Sequence, residues 1–218
     1  MLVRPSLRDW FSALRVHRRF KAFPGSEHIA SRISLAHLPA ILRQRDCKFA
    51  LEFGAGIGTI TYLLLQHGLR VVSIEHDAFC QDQIKQNIPE QWQSRLALIT
   101  DCVGIDSAFD LVIIDGKLPA GDTYSFVRPG TICFAEGSRK YATLKFQKRV
   151  AAAGLYCAME NYEPWTRLRV KIRKTGIRSR FKLRRVKTFR LGVVSEKPVI
   201  ALRQRNRELR EDVHEATR

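Results

Sequence analysis

The 218-residue sequence predicts an α/β protein: a doubly wound, mostly parallel, seven-stranded sheet with helices on both faces, an N-terminal helical extension and a basic C-terminal hairpin region. Three observations predict it. From residue 49 onward, short apolar runs of strand length alternate with segments of helical periodicity, the pattern of a parallel sheet buried on both faces. The first run, "KFALEF", passes straight into "GAGIG", a turn with three glycines in five positions. No uninterrupted apolar run reaches the roughly 18 residues of a membrane span, so the apolar 45% of the chain is assigned to a globular core. The expected organisation is a helical segment at 1–48, an α/β domain at 49–200 with a basic stretch at 166–195, and a charged tail at 201–218.

In the N-terminal segment, Leu7, Trp10, Phe11 and Leu14 recur at three- and four-residue spacing among arginines. Such a stripe predicts a helix whose apolar side packs on the core, or else lies on a membrane surface. "SRISLAHLPAILRQR" predicts a second amphipathic helix from Ser31 to about Arg45. Then "KFALEF" predicts the first strand, and "TITYLLLQHG" a helix closed by Gly68. "RVVSIE" is the second strand, and Asp77 caps a helix that stops at Pro89. "LALIT", "DLVIID" and "TICFA" are the next three strands, and Ser138 to Ala153 forms a crossover helix. "LYCAM" is the sixth strand. The last is either "RLRVKI" or "TFRLGVV", between which periodicity does not choose.

Five cysteines, Cys47, Cys80, Cys102, Cys133 and Cys157, are far apart, without a CxxC and odd in number. That argues against a disulfide framework and a cysteine-based zinc site, and predicts reduced core residues in a cytoplasmic protein. The basic N-terminus lacks the apolar region of a secretory signal.

The glycine turn carries the chemistry. A dinucleotide fingerprint reads G-x-G-x-x-G and offers a helix N-terminus to a pyrophosphate. Here Gly54, Gly56 and Gly58 read G-x-G-x-G, and no Gly-Lys-Ser/Thr follows to make a P-loop. Glu52 stands two residues before Gly54. A carboxylate there is expected to repel a pyrophosphate and to suit a ligand with positive charge. S-adenosylmethionine has an ammonium, a sulfonium and no phosphate.

"LEFGAGIGT" resembles motif I of the class I S-adenosylmethionine-dependent methyltransferases, E/D-x-G-x-G-x-G. The resemblance extends over roughly residues 30–150 through four strand ends in order. It implies that Glu52, Phe53, Gly54, Ala55, Gly56 and Gly58 form the cofactor loop, and that Glu75, ending the second strand, accepts both ribose hydroxyls. It implies also that His76 touches the adenosine, that Asp101, with Cys102 beside it, lies near the adenine, and that Asp115 in "DLVIIDG" stands where the methyl group leaves. "DLVIIDG" and "ISLAHLPAIL" are most similar to the small O-methyltransferases.

Methyl transfer to a hydroxyl or amine needs an oriented acceptor and a base, and Asp115 is the candidate for that base. A metal ligand role would need further acids near it, and the following loop has only Asp122 before Glu136, so no metal site is assigned. No Asn/Asp-Pro-Pro-aromatic follows the fourth strand, which disfavours exocyclic amines of nucleobases. No Pro-Cys or Thr-Cys nucleophile is present. His28, His37, His67 and His76 are scattered, without a pairing that marks a base.

The net charge is +17, and Thr166 to Ser195 contains twelve Lys/Arg and no acid. That stretch predicts a polyanion partner, RNA first; Phe181 and Phe189 are expected to pack inward, with stacking on bases as the other reading. An anionic membrane surface is the other candidate, supported by Arg4, Arg8, Arg15, Arg18, Arg19 and Lys21 beside Trp10 and Phe11. The sequence thus predicts a methyltransferase acting on oxygen or nitrogen of an acceptor it does not name. A non-catalytic protein of the same fold, binding RNA or lipid, is the second reading. Oligomeric state is not legible.

Overall fold

The computed structural model describes residues 4–102, 105, 107–118, 125–137, 139–162, 168–169, 182–183 and 189–197. Helix α1 (Leu7–Lys21) starts at a capping box: Ser6 and Asp9 bond each other's backbone N–H. A single 3-10 turn (Ser26–His28) leads to α2 (Arg32–Arg45), capped by Ser31. Then follow β1 (Phe49–Phe53), α3 (Thr59–Gln66), β2 (Arg70–Ile74), α4 (Ala78–Asn87), the short α5 (Glu90–Gln93), β3 (Leu96–Ile99), β4 (Leu111–Ile114), β5 (Ile132–Glu136) and α6 (Lys140–Ala152). The C-terminal strands are β6 (Tyr156–Tyr162), β7 (Leu168–Arg169), β8 (Lys182–Leu183) and β9 (Phe189–Ser195).

Seven strands form one sheet in the order β3-β2-β1-β4-β5-β9-β6. The first five are parallel, and β9 runs antiparallel between β5 and β6. "TFRLGVV" is therefore the last strand of the sheet. "RLRVKI" contributes Leu168 and Arg169 to a separate two-stranded antiparallel pair with Lys182 and Leu183. The strand faces sort by alternation: Ala50, Leu111 and Ile113 join a core with α1, α2, α3 and Ile84 of α4, while Leu51, Val112 and Ile114 join another with Phe146 and Val150 of α6.

The N-terminal helices depart from expectation in an instructive way. On α1 the buried residues are Asp9, Ala13, Val16 and Phe20, the face opposite the predicted stripe. Leu7, Trp10 and Phe11 are exposed, at 78%, 40% and 66%. Of the two readings of this stripe, core packing does not hold: the inward side is the one that carries Asp9, an acid buried in an ion pair. Arg43 of α2 grips it with both guanidinium nitrogens at 2.6 Å. Nor is α2 amphipathic: all nine residues from Ser34 to Leu42 are buried, since α1 covers the side that would otherwise meet water. The expected tail at 201–218 lies outside the described residues.

Candidate functional site

The strand order reverses at β1, whose neighbours β2 and β4 leave it to opposite sides. Such a switch point opens a crevice beyond the C-terminal strand ends. A cavity of 380 Å³ occupies it, a size typical of ligand sites. Its floor is the turn after β1. Gly54 is left-handed (φ 81°) and packs on Gly116, which follows β4. A Cβ on Gly116 would stand 2.6 Å from the Gly54 Cα, so the glycine of "DLVIIDG" is set by the approach of two backbones.

The turn spends the donors of its three glycines and of Ala55. The N–H groups of Gly54 and Ala55 both donate to the Ile74 carbonyl, and that of Gly58 to the Ala55 carbonyl. The Gly56 N–H donates to Glu75 Oε2 at 2.7 Å. The other oxygen of Glu75 accepts from the N–H groups of His76 (2.8 Å) and Asp77 (3.0 Å). Three backbone donors thus fix this carboxylate at the end of β2, against the cavity, and His76 and Asp77 line the same wall. Asp77 also caps α4 through the Cys80 N–H.

Asp115 lines the opposite wall at the end of β4. Burial and, next, the charge of Glu136 push its carboxyl up to about 7, against the pull of Arg139, whose Nη2 donates to Oδ1 at 3.0 Å. Lys117 and Arg139 bring positive charge to this end. The cover is the chain between α1 and α2: Gly25, His28, Ile29 and Ala30 all line the cavity. Glu136 ties this cover down, accepting the Ser31 N–H at 2.7 Å.

Several expected residues are elsewhere. Glu52 does not line the cavity. It is buried between β1, α3 and β2, where Thr61 (2.5 Å) and Ser73 (3.1 Å) both donate to Oε2. Burial pushes its carboxyl up to about 8, so near neutral pH it is held mostly protonated and has little charge with which to repel a phosphate. Phe53 turns to the other core, against Phe126. Gly58 is left-handed at the start of α3 and faces Ile84 of α4. Asp101 borders a separate groove beside α4, with Gln81 and Lys85, and Cys102 is half-buried against the second core. The crevice therefore gathers Gly54, Ala55, Gly56, Glu75, His76 and Asp115, and leaves Glu52, Phe53, Gly58, Asp101 and Cys102 outside its lining.

Two positions of the basic stretch point inward, Phe189 as expected and Arg190 against expectation. Phe189 is buried and stacked on Phe134 and Tyr162 at 4.8 and 4.7 Å, so it offers no face to a base. Arg190 is buried too, donating to Asn161 at 2.7 Å and Thr143 at 3.2 Å. Phe181 lies outside the described residues. His37 is packing: its Nδ1 is 2.8 Å from the Ile33 carbonyl and its ring lies against Tyr162 and Phe189. Among the described residues, no group of three or more His, Cys, Asp or Glu is placed to hold a metal ion, and no helix is long and apolar enough to cross a membrane.

No protein-family model matches the chain. A protein from Methanosphaera stadtmanae named probable ribosomal RNA small subunit methyltransferase A is 32% identical over 109 residues. The match takes in 49% of this chain and 38% of that protein, well under half of its length. Among solved structures, the O-methyltransferase TomG of Streptomyces achromogenes, in complex with S-adenosylmethionine, aligns over 89% of this chain and 92% of its own (TM-score 0.54, 16% identity). The Bacillus cereus O-methyltransferase in complex with S-adenosylhomocysteine aligns over 89% and 94% (TM-score 0.53, 16% identity). The C-terminal domain of precorrin-6Y C5,15-methyltransferase from Rhodobacter capsulatus aligns over 90% and 100% (TM-score 0.54, 17% identity).

The chain has the class I methyltransferase fold. At these identities the likeness is one of architecture, and the names of the neighbours differ in acceptor. What sequence reasoning missed within this fold is its cover. "FPGSEHIA" has no periodicity and no motif, and only the left-handed turn at Gly25 marks it. Arg139 was counted among helix residues, though it stands just before α6 and pairs with Asp115.

Proposed function

We propose that the protein is an S-adenosylmethionine-dependent methyltransferase acting on oxygen or nitrogen of an acceptor still to be identified. The observation that carries this is the use of the turn's donors. With the N–H groups of Gly54, Ala55, Gly56 and Gly58 engaged, these four residues offer a pyrophosphate no donor, and three carboxylates on the cavity wall, Glu75, Asp77 and Asp115, favour a ligand bearing hydroxyls and positive charge over an anionic one. The residues fit S-adenosylmethionine. Glu75, pre-aimed by three N–H groups, keeps one lone-pair direction, on Oε2, for a ribose hydroxyl, and the close Gly54–Gly116 contact lets backbone form the floor. When bound, this cofactor supplies an electrophilic methyl group.

The chain's own part is to orient and to move a proton. Asp115 takes the proton from the acceptor's hydroxyl or amine, and a carboxyl raised to about 7 is well matched to that work near neutral pH. Arg139 holds Asp115 in place and limits the rise. The loop from Gly25 to Ala30 shields the crevice from water.

Calorimetric titration tests the cofactor. S-adenosylmethionine is expected to bind and NADH not, and Glu75→Ala to weaken binding by roughly tenfold to a hundredfold, the worth of hydrogen bonds to a charged group. Binding of NADH in preference, or an unaffected Glu75→Ala, overturns the reading. Asp115→Asn should keep cofactor affinity and lose about a hundredfold or more in transfer rate, the lower range for a general base.

A second reading has a specific observation behind it. Eleven cations besides the buried Arg190, without an acid, between 166 and 195 fit an anionic acceptor or carrier, RNA or anionic lipid, and the partial match to an RNA methyltransferase favours RNA as the acceptor to screen first. Screening with labelled cofactor against total RNA and against lipid extract separates the two. A protein that binds either but transfers no methyl group is the non-catalytic alternative.

A further inference from the structure

We infer that α1 is a docking element for an anionic phospholipid bilayer, an assignment independent of the methyl-transfer reading. Leu7, Trp10, Phe11 and Leu14 stand at i, i+3, i+4 and i+7, one side of a helix whose other side, Asp9, Ala13, Val16 and Phe20, is already committed to the core. The outer side is exposed where soluble surfaces are usually polar, with Leu7 and Phe11 at 78% and 66%. Arg8 and Arg15 flank it, and Arg18 and Lys21 follow it at the C-terminal end, all exposed. Its single acid, Asp9, is buried and held by Arg43. The outward face is thus apolar and cationic, without negative charge.

That combination selects the occupant. RNA would engage the arginines but has no use for an exposed leucine and phenylalanine in a row with tryptophan. A second copy docked on the same face would bring arginines against arginines. An anionic bilayer meets both halves: lipid phosphates pair with Arg8, Arg15 and Arg18, while Leu7 and Phe11 enter the headgroup–acyl boundary beside the exposed parts of Leu14 and of Trp10, whose ring also meets His37 edge-on. The helix is anchored to the body by the Asp9–Arg43 pair and by Arg19, which donates to the Asn87 carbonyl and lies over Tyr62. It therefore docks as a rigid ridge already folded, without the entropy cost of ordering on contact.

The test uses the full chain and vesicles of phosphatidylcholine and phosphatidylglycerol in equal parts, with phosphatidylcholine alone as the control, scored by co-flotation. The protein should float with the anionic vesicles. The double variant Leu7→Ser/Phe11→Ser should lose binding by at least about tenfold, and Arg8→Gln/Arg15→Gln by a comparable factor. Both pairs are exposed, so the thermal midpoint should hold, and RNA binding by the first variant should be unchanged. Vesicle binding unaffected by Leu7→Ser/Phe11→Ser overturns the inference, since capture would then be by charge elsewhere in the chain. So does a wild-type dimer in sedimentation that this variant turns into monomer, or a loss of RNA binding in place of lipid binding.

Discussion

Glu52 shows how a residue can be read in the right place with the wrong role. Its position before the glycines suggested a charge aimed at a ligand, yet Thr61 and Ser73 receive it in the core. The ligand preference survives on other grounds, because Glu75 and the Ile74 carbonyl occupy the N–H groups of Gly54, Ala55 and Gly56. Sequence shows which side chains stand near the turn but not which N–H groups remain free. A carboxyl raised to about 8 when folded and near 4.5 when unfolded binds its proton more tightly in the native state. Its contribution to stability is complete below the unfolded value and declines as pH rises through the folded one. Glu52→Gln should therefore gain stability over wild type progressively from pH 5 to pH 8, by a few kcal/mol at order of magnitude, read from urea unfolding at each pH. A constant difference across that range would show that Glu52 is charged in the fold. For Asp115 the same logic applies to rate: transfer should rise with pH through about 7, and Arg139→Gln, by removing the opposing cation, should move that midpoint upward.

At the scale of elements, β1, β2 and β4 and their turns were legible because each pattern is local: an apolar run, then a glycine or an acid. Helix α4 was equally plain, with Asp77 at its start and Pro89 just past its end. The choice between two late strands was not legible, since both are short runs of strand-favouring apolar residues that include a cation. What decides it is the gap between β5 and β6, filled by "TFRLGVV", with Phe189 against Phe134 and Tyr162 and Gly192 so close to the Ala158 carbonyl that a Cβ would stand 2.5 Å from it. Which side the stripe of α1 takes was hidden for a related reason: an aspartate normally marks the wet side, and only the partner Arg43, 34 residues on, makes Asp9 an inward residue. Asp9→Ala should cost about 2 kcal/mol in urea unfolding, from the lost capping box and ion pair, with the solvent exposure of Arg43 keeping the figure modest. Arg43 holds the Asp9 carboxyl down at about 2 from 3.8. The ion-pair part of that difference is therefore present above pH 3.8 and disappears as pH falls through about 2. A difference that shrinks instead between pH 7 and pH 5 would mean that another group holds α1 to α2.

Over the whole molecule, a net charge of +17 makes every anionic surface attractive, so binding alone identifies no partner and the salt response does. Capture of single-stranded RNA by charge releases counterions, with log affinity falling by about 0.7 per phosphate contact for each decade of salt. Four contacts then give roughly a 50-fold loss for a fourfold rise in salt. Vesicle binding through α1 has an apolar share that salt does not screen. Titrations of RNA and of anionic vesicles at low and physiological salt separate that share: both affinities fall with salt at slopes set by their ionic contacts, and the apolar contacts raise the vesicle curve by a constant factor. In Leu7→Ser/Phe11→Ser the vesicle curve should drop by the same factor, at least about tenfold, at both salt concentrations with its slope unchanged, while the RNA curve stays where it was. If the vesicle curve of the variant overlies that of the wild-type protein, charge alone accounts for both partners, and the exposed side chains of α1 contribute nothing to either.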